Sequence, residues 1–223
     1  MTTPMIIAID GPAASGKSTV SKAVAAHEGL LYVDSGSVYR GVTWALIKAG
    51  CDVSDPDAVR LGLAAVEFRF FESEGAVSFC VNGQQPGASL RTEAINRGVS
   101  PVAAVPEVRT MVVDALRHMR ELGGLVMEGR DIGTHVFPDA TYKFYLDASP
   151  EERARRRHGE TVSGGSLQDV QASIARRDTI DSTRKTHPLR VADDARIIDT
   201  TGLDVSGVVS VILGCLDPDG RTP

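Results

Sequence analysis

Residues 5–18 read Met5-Ile6-Ile7-Ala8-Ile9-Asp10-Gly11-Pro12-Ala13-Ala14-Ser15-Gly16-Lys17-Ser18. The last eight match G-x-x-x-x-G-K-[ST], a glycine-rich loop between an apolar run that predicts a strand and a helical pattern that starts at Thr19. Such a loop holds phosphate because free backbone N–H groups and the helix dipole meet the anion. Lys17 can reach the outer phosphates, and the Ser18 hydroxyl can bind Mg²⁺. The context favours a nucleoside triphosphate site over a chance glycine turn.

The bulk composition fits one large domain, or a core with a small insertion. The chain has 223 residues, of which 42% are apolar and 24% charged. Its net charge of −5 argues against general nucleic-acid binding, which needs a basic surface. The N-terminus lacks the basic segment of a signal peptide, and no apolar run approaches the ~18 residues of a membrane span. Three cysteines stand in no metal-binding pattern. We expect a cytoplasmic protein without nucleic-acid or membrane partners.

Strand-like and helix-like segments alternate along most of the chain. Short apolar runs occur at 5–9, 30–33, 125–127, 142–146 and 195–199, with helical patterns between them. This alternation predicts an α/β fold with a five-stranded, doubly wound parallel sheet flanked by helices. Ligands of such folds bind at the carboxyl ends of the strands.

A block with a different texture interrupts this alternation. Residues 66–71 and 76–81 are rich in β-forming residues, and Asn82-Gly83 adds a turn signal. The block predicts an antiparallel hairpin or small meander, inserted into the strand–helix alternation. We assign residues 66–96 to a β-rich insertion and residues 1–65 and 97–223 to the core.

Three charged clusters follow predicted parallel strands closely and are expected to converge on one crevice. They span residues 34–40 (DSGSVYR), 128–134 (EGRDIGT) and 176–184 (RRDTIDSTR). Each has a structural interpretation when taken alone: a helix cap, an ion pair in a turn, and an exposed salt-bridged helix face. An arginine fork suits a phosphate, and a carboxylate can accept from a base amino group. Together the clusters indicate an anion-binding site opposite the glycine loop.

Arginine-rich helical segments on both sides of Gly164-Gly165 predict a flexible lid over residues 153–185. Phosphoryl transfer needs in-line reactants, exclusion of water and cations on the equatorial oxygens, and such a lid supplies the last two. The sequence offers no strong candidate for a general base. A phosphate acceptor is already anionic and needs none, so a nucleotide or another phosphate is favoured over an alcohol.

In its motifs the chain resembles the bacterial cytidylate kinases over nearly its whole length. The resemblance is carried by the loop at 11–18, the clusters at 34–40 and 128–134, the run Val136-Phe137-Pro138-Asp139-Ala140, and the arginine-rich segments at 149–157 and 177–184. It implies transfer of a phosphoryl group from ATP to CMP or dCMP, with Mg²⁺. It also implies that the β-rich insertion is a monophosphate-binding domain and that the protein is a monomer.

The resemblance assigns roles residue by residue. The residues that it implies around the cytosine are Ser35, Arg109, Asp131 and Arg184, and it implies that Tyr39 also contacts the substrate. The residues that it implies near the pentose are Ser100, Arg177 and Asp181. Those that it implies on the acceptor phosphate are Arg40 and Arg130. The ATP-binding set is Gly11, Pro12, Ala13, Ala14, Ser15, Gly16, Lys17, Ser18 and Thr19, with Ser18 on the metal. The catalytic set is Lys17, Arg130, Arg153 and Arg157.

Two departures and two alternatives remain open at this point. Leu116-Arg117 stands where the family often has Gln-Arg, and the lid between Arg157 and Gln168 is short and rich in glycine and serine. One alternative is a kinase for another monophosphate, such as UMP, or for a phosphate-free metabolite. The other is a signalling P-loop switch, although the sequence has no N-K-x-D motif for reading guanine.

Overall fold

The computed structural model of the chain describes residues 4–160 and 166–216. In that part of the chain the strands are β1 (Ile6–Asp10), β2 (Leu31–Asp34), β3 (Phe68–Ser73), β4 (Ala76–Val81), β5 (Leu125–Gly129), β6 (Tyr142–Asp147) and β7 (Arg196–Asp199). The α-helices are α1 (Lys17–Glu28), α2 (Ser35–Lys48), α3 (Pro56–Gly62), α4 (Glu93–Ala104), α5 (Pro106–His118), α6 (Pro150–Glu160), α7 (Leu167–Thr183) and α8 (Val205–Leu216). None of these helices has the length and apolar character to cross a bilayer.

The centre of the fold is a parallel sheet. Its strand order is β3-β4-β2-β5-β1-β6-β7. The five neighbouring strands β2, β5, β1, β6 and β7 run parallel to one another. The register aligns Asp10 of β1 with Gly129 of β5, and Asp34 of β2 with Glu128. The α/β class and the parallel sheet are confirmed, and the register sets the ends of β1, β2 and β5 side by side.

The sheet has seven strands rather than the predicted five. β3 and β4 form an antiparallel hairpin, and β4 joins β2 through the pairing of Tyr32 with Ala76. The Tyr32 N–H donates to the Gly75 carbonyl at 2.9 Å. An uncovered edge of β2 would leave backbone groups without partners, and the hairpin supplies them. The division into a 66–96 insertion and a core remains a prediction.

Both faces of the sheet are covered by helices, as the alternation of side chains in β1 illustrates. Ile6 and Ala8 pack in one cluster with residues of α2, α4 and α5, whereas Ile7 and Ile9 pack in a second cluster with α1 and α8. All four side chains are buried. A strand apolar on both faces belongs in the middle of a parallel sheet, and β1 lies there.

Helix α2 approaches the hairpin closely at Gly41. A Cβ at this position would lie 2.8 Å from Phe79 Cε2 and 3.0 Å from Phe68 Cε1. Phe68 and Phe70 stack with ring centroids 5.4 Å apart, and Phe79 meets Phe68 edge-on at 5.5 Å. The absence of a side chain at Gly41 therefore lets the aromatic face of the hairpin rest on α2.

Helices α6 and α7 pack against each other on the carboxyl side of the sheet. Ser166 begins α7 with a capping box, because its hydroxyl accepts from the Asp169 N–H at 3.1 Å while the Asp169 carboxylate accepts from the Ser166 N–H. The predicted flexible tip at Gly164-Gly165 lies outside the described residues.

Candidate active site

The glycine loop leaves β1 in a conformation that requires its glycines. Gly11 has φ of 150°, and a Cβ there would lie 2.1 Å from the Leu146 carbonyl oxygen. Gly16 has φ of 90° and precedes α1 without any side-chain cap. The first amides of α1 are therefore left for an anion to bind. Ser18 and Thr19 are exposed at this helix end, where the sequence places the donor phosphates.

Lys17 is held inside the loop. Its Nζ donates to the Pro12 carbonyl at 2.6 Å and to the Ser15 hydroxyl at 3.2 Å, and the residue is 5% exposed. Burial, followed by the nearby Arg130 guanidinium, lowers the pKa of Lys17 to about 7. A bound phosphate would be a negatively charged partner for the Lys17 ammonium group and would favour its protonated form.

Two acidic residues beside the loop were not assigned to the site from the sequence. Asp10 ends β1, and its carboxylate accepts from the Ile132 N–H at 2.8 Å and from the Gly133 N–H at 2.7 Å. Glu128 accepts from the Tyr32 hydroxyl at 2.5 Å. Burial raises the pKa of Asp10 to about 6 and also raises that of Glu128. The signal for Asp10 is an acid at the end of an otherwise apolar strand, directly before the glycine loop.

The turn after β5 presents Asp131 to two arginines. Residues Ile132–Val136 form one turn of wide, π-type helix, and the Asp131 carbonyl accepts from the His135 and Val136 N–H groups at 2.9 and 3.1 Å. Such turns frequently occur at functional sites. The Asp131 carboxylate pairs with Arg109 and, at 3.3 Å, with Arg184. Three residues that the sequence analysis expects around the cytosine are therefore joined, because Asp131 pairs with both Arg109 and Arg184.

Arg109 is the most deeply buried cation of this group, with 0% exposure. Its Nη1 donates to the Ala103 carbonyl at 3.2 Å, and its guanidinium lies 5.1 Å from the centroid of the Tyr39 ring. Tyr39 brings α2 to the same point, and its hydroxyl is buried without a hydrogen-bond partner among the described residues. Ser35, at the start of α2, donates to the Glu128 carbonyl at 2.6 Å. An unpaired buried hydroxyl is costly, so a ligand that bonds to Tyr39 would be favoured here.

Asp181 of α7 is the second carboxylate of the network. It accepts from Arg130 Nε at 2.9 Å and lies 3.7 Å from Arg184 Nη1 and 4.0 Å from Arg177 Nε. Although burial acts to raise it, the pKa of Asp181 is lowered by Arg130, Arg177 and Arg184. Helix α7 is therefore tied to the turn after β5 by the ion pair of the buried Asp181 with Arg130.

Four arginines from different elements face one another: Arg40, Arg130, Arg157 and Arg177. Burial and the neighbouring Arg130 lower the pKa of Arg177 to about 10. Its Nε is buried and, among the described residues, lacks a hydrogen-bond partner. Arg40 donates to the Asn96 side chain at 2.6 Å. Four positive charges that act on one another in this way favour a polyanion between them, in line with the anion-binding site that the sequence predicts.

The lid also contacts the glycine loop directly. Asp178 of α7 accepts from the Ala13 N–H at 3.1 Å and pairs with Arg153 of α6, whose Nη1 donates to the Ala13 carbonyl at 3.2 Å. Arg156 donates to the Thr200 carbonyl at 2.7 Å. Thr200 in turn donates to the Ser15 carbonyl at 3.2 Å. The sequence analysis expected Arg153 at the transferred phosphoryl, which stays a prediction, and it assigned no role to Asp178, Arg156 or Thr200, whose contacts with the loop depend on long-range partners.

The remaining predicted site residues, Ser100 and Arg157, lie on helices α4 and α6. Ser100 lies on α4, which packs against α2 and α7. Arg157 lies on α6 near Arg40 and Arg177. Within residues 4–160 and 166–216 no three His, Cys, Asp or Glu side chains form a metal-binding group. The exposed Ser18 hydroxyl at the start of α1 offers an oxygen donor of the kind that Mg²⁺ prefers.

Comparison with known proteins agrees with this geometry. A family model described as cytidylate kinase matches residues 7–217. The chain is 46% identical over 210 residues to the cytidylate kinase of Geobacillus kaustophilus, covering 93% of this chain and 94% of that protein. It is 44% identical over 211 residues to that of Streptomyces griseus, with coverage of 94% and 91%. A solved structure of an uncharacterized protein from Eubacterium ventriosum shares the fold, with a TM-score of 0.55, 13% identity and coverage of 96% and 99%. The chain therefore belongs to the cytidylate kinase family.

Proposed function

We propose that the chain is an ATP-dependent phosphotransferase that converts CMP or dCMP to CDP or dCDP. The observation that carries the proposal is the placement of an arginine-lined site, at the ends of β2 and β5, next to a glycine loop at the end of β1. The match to the cytidylate kinase family is the ground for proposing cytosine as the base of the acceptor. Its substrates are small molecules.

The glycine loop serves as the donor site. Residues 11–19 hold the ATP phosphates through the loop amides and the uncapped start of α1. The Lys17 ammonium group stabilises the negative charge of the phosphoryl group during its transfer. The Ser18 hydroxyl holds Mg²⁺. When bound, this ion neutralises phosphate charge.

The buried ion-pair network serves as the acceptor site. Asp131 accepts from the cytosine amino group, a donor that uracil lacks, while Ser35, Tyr39, Arg109 and Arg184 complete the base pocket. The pentose contacts Ser100, Arg177 and Asp181. Arg40 and Arg130 hold the acceptor phosphate as paired forks. The ion pairs of this network hold its side chains in place, which would lower the cost of ordering them on binding.

The lid completes the catalytic arrangement. Arg153 and Arg157 of α6 bring positive charge to the transferred phosphoryl, and the contacts of α6 and α7 with the loop exclude water. No base is required because the acceptor phosphate is already anionic. Residues 66–96 act as the monophosphate-binding domain and 153–185 as the lid of a monomeric, cytoplasmic enzyme.

A coupled assay of ADP release tests this proposal. Wild-type protein with ATP and Mg²⁺ is tested against CMP, dCMP, UMP, AMP and phosphate-free sugars or alcohols, without acceptor as the background. We expect CMP and dCMP to give the highest kcat/KM. A better rate with UMP or with a phosphate-free acceptor would overturn the cytidylate assignment. Nucleotide turnover that no acceptor accelerates would indicate a switch instead.

A further inference from the structure

Two histidines that the proposed chemistry does not use lie against the acceptor site. His135 stands in the π-type turn after β5, and His187 stands in the segment after α7. Their rings stack with centroids 4.2 Å apart and planes 29° from parallel. The stack joins the turn that carries Asp131 to the end of the lid helix. Both side chains are half-buried.

His187 contacts both arginines that pair with Asp131. Arg109 Nε donates to the His187 ring nitrogen Nδ1 at 3.5 Å, and Arg184 Nε donates to the His187 carbonyl at 2.8 Å. The Arg109 Nη1 atom donates to the Ala103 carbonyl, and Nη2 donates to Asp131. His187 therefore provides an acceptor for the third nitrogen of a guanidinium with 0% exposure. The Nδ1 atom can accept only while it carries no proton.

Main-chain contacts anchor both histidines. His187 has φ of 49°, a left-handed conformation that histidine adopts more readily than most residues. The segment is closed on α7, because the Leu189 N–H donates to the Asp181 carbonyl at 2.8 Å. On the other side, Arg117 donates to the His135 carbonyl at 2.6 Å. The backbones of both residues are thus held in place, and their rings pack on each other.

We propose that His187, supported by the stacked His135, is a positioning residue that holds Arg109 against Asp131 and so sets affinity for the acceptor base. The inference rests on the proposed function for the identity of that acceptor. Protonation of His187 turns its Nδ1 from an acceptor into a donor and adds a cation beside Arg109 and Arg184. The positioning contact therefore exists only with a neutral ring.

The charged surroundings favour the neutral rings at physiological pH. Burial, then His135 and Arg109, lower the pKa of His187, and burial also lowers that of His135. The Asp131 carboxylate, 3.9 Å from His187 Nδ1, acts to raise the pKa of both histidines. Arg109 and Arg184 act to lower both pKa values, and Arg190 acts to lower that of His135. The contact is therefore lost only in acid.

Steady-state kinetics of three variants test the inference. His187→Ala removes the acceptor, and we expect KM for CMP to rise about tenfold while KM for ATP and kcat stay within about twofold. His187→Asn keeps an acceptor and tolerates positive φ, so KM for CMP should return to within about threefold of wild type. His118→Asn, on an exposed histidine of α5, is the matched control and should behave as wild type.

A pH series separates positioning from a merely structural role. The acceptor phosphate itself titrates near pH ~6, so the quantity compared is the ratio of KM for CMP between wild type and His187→Asn. We expect this ratio to rise as the pH falls from about 7 to about 5, because only wild type carries a titrating ring at position 187, whereas His135 is common to both proteins. An unchanged KM for CMP in His187→Ala would overturn the inference. A flat ratio would overturn it, as would equal losses for both substrates together with a lower melting temperature.

The outcome is distinguishable from failure of the proposed function. If wild type prefers another monophosphate, the cytidylate assignment fails, and the same variants are measured with that acceptor. A rise in its KM in His187→Ala, rescued by His187→Asn, still supports the positioning role. An unchanged KM with that acceptor refutes it.

Discussion

Lys17 shows how a single residue can serve the reaction at the expense of the fold. Its pKa of about 7, against an ordinary value of 10.5, means that the folded state disfavours the ammonium form. Charging Lys17 therefore costs stability at every pH below about 7, and the cost fades as the pH rises toward 10.5. A phosphate ligand removes that cost, so the residue is poised for an anion rather than for packing.

We expect Lys17→Met to abolish turnover without destabilising the protein. Turnover should fall by about 10³-fold or more, because the charge that follows the transferred phosphoryl is lost. The free energy of unfolding in urea without ligand should be unchanged or higher, because a desolvated cation is replaced by an apolar side chain of similar length.

Lys143→Met is the matched control for Lys17→Met. Lys143 Nζ donates to the Pro138 carbonyl at 2.6 Å and pairs with Asp194 at 2.7 Å, so its bonds are satisfied within the protein. We expect this variant to lose stability while turnover stays within about threefold. Lys17→Met with near-normal turnover, or with the larger loss of stability, would contradict this account of Lys17.

Prediction at the residue scale is strongest where the chemistry is carried by a local motif. Gly11, Gly16 and Lys17 are recognisable because their spacing fits a phosphate-binding loop, and Gly11 and Gly16 have the positive φ angles that such a loop needs. Asp178 and Thr200 contact the same loop from more than 160 and 180 residues away. Asp178 lies in the charged cluster at 176–184, but no local pattern gives its contact with the loop or that of Thr200, because these partners are created by the fold.

At the scale of elements, the contact between α2 and the β3–β4 hairpin determines how one side of the acceptor site is built. Tyr39 and Gly41 lie two residues apart on α2, so the packing that seats the hairpin also fixes the helix that delivers Tyr39 to Arg109. A Cβ at Gly41 would lie 2.8 Å from Phe79 Cε2, which is closer than real Cβ atoms approach a neighbour, and 3.0 Å from Phe68 Cε1. The hairpin is thus coupled to the site through one helix.

We expect Gly41→Ala to destabilise the protein, although alanine is the better helix former. The gain in helix propensity of about 1 kcal/mol is outweighed by displacement of the packed Phe68 and Phe79 rings, which costs about 1–3 kcal/mol. The measurement is the free energy of unfolding in urea, together with KM for CMP. Since α2 carries Tyr39, KM for CMP should rise while KM for ATP changes little.

Gly214→Ala provides the control for helix propensity. Gly214 lies in α8, and a Cβ there would meet nothing within 4 Å. This variant should be as stable as wild type or more stable, by up to about 1 kcal/mol. If both glycine variants gained stability equally, the close approach of the hairpin to α2 would not be an energetic constraint.

The elements of the parallel core were predictable, and their assembly with the hairpin was not. β1, β2, β5, β6 and β7 each follow from a short apolar run between helical patterns, because a buried parallel strand has little alternation. The hairpin was predicted as such, but its attachment to β2 depends on the single pairing of Tyr32 with Ala76. One edge pairing leaves no periodic signal, and so five strands were expected where seven occur.

At the scale of the whole molecule, buried charge is distributed in two contrasting ways. The acceptor side pairs Asp131 and Asp181 with several arginines, and three of these arginines lower the pKa of Asp181. The donor side buries Asp10 and Glu128 against backbone and hydroxyl donors, with Lys17, whose own pKa is lowered, as a nearby cation. On the proposed function, phosphates between the two sides would be held mainly by the cations of the acceptor side and the lid.

The donor side should make stability depend on pH in the direction opposite to ordinary acid denaturation. The pKa of Asp10 is about 6 in the folded protein against 3.8 ordinarily, so the folded state binds an extra proton between those values. Its contribution to stability is therefore largest in acid and declines as the pH rises from about 4 through about 6. Relative to Asp10→Asn, wild type should gain about 2–3 kcal/mol of unfolding free energy between pH 7 and pH 4.

Urea unfolding of the two proteins at several pH values measures this difference, and groups common to both cancel from it. Asp52→Asn is the control: Ser54 hydrogen bonds lower the pKa of the exposed Asp52, so its difference from wild type should shrink, not grow, as the pH falls. A pH-independent gap between wild type and Asp10→Asn would mean that Asp10 stays ionised in the folded state. In that case its two backbone bonds to Ile132 and Gly133 would outweigh its burial, and the carboxylate would stand as a fixed anion beside the phosphate loop.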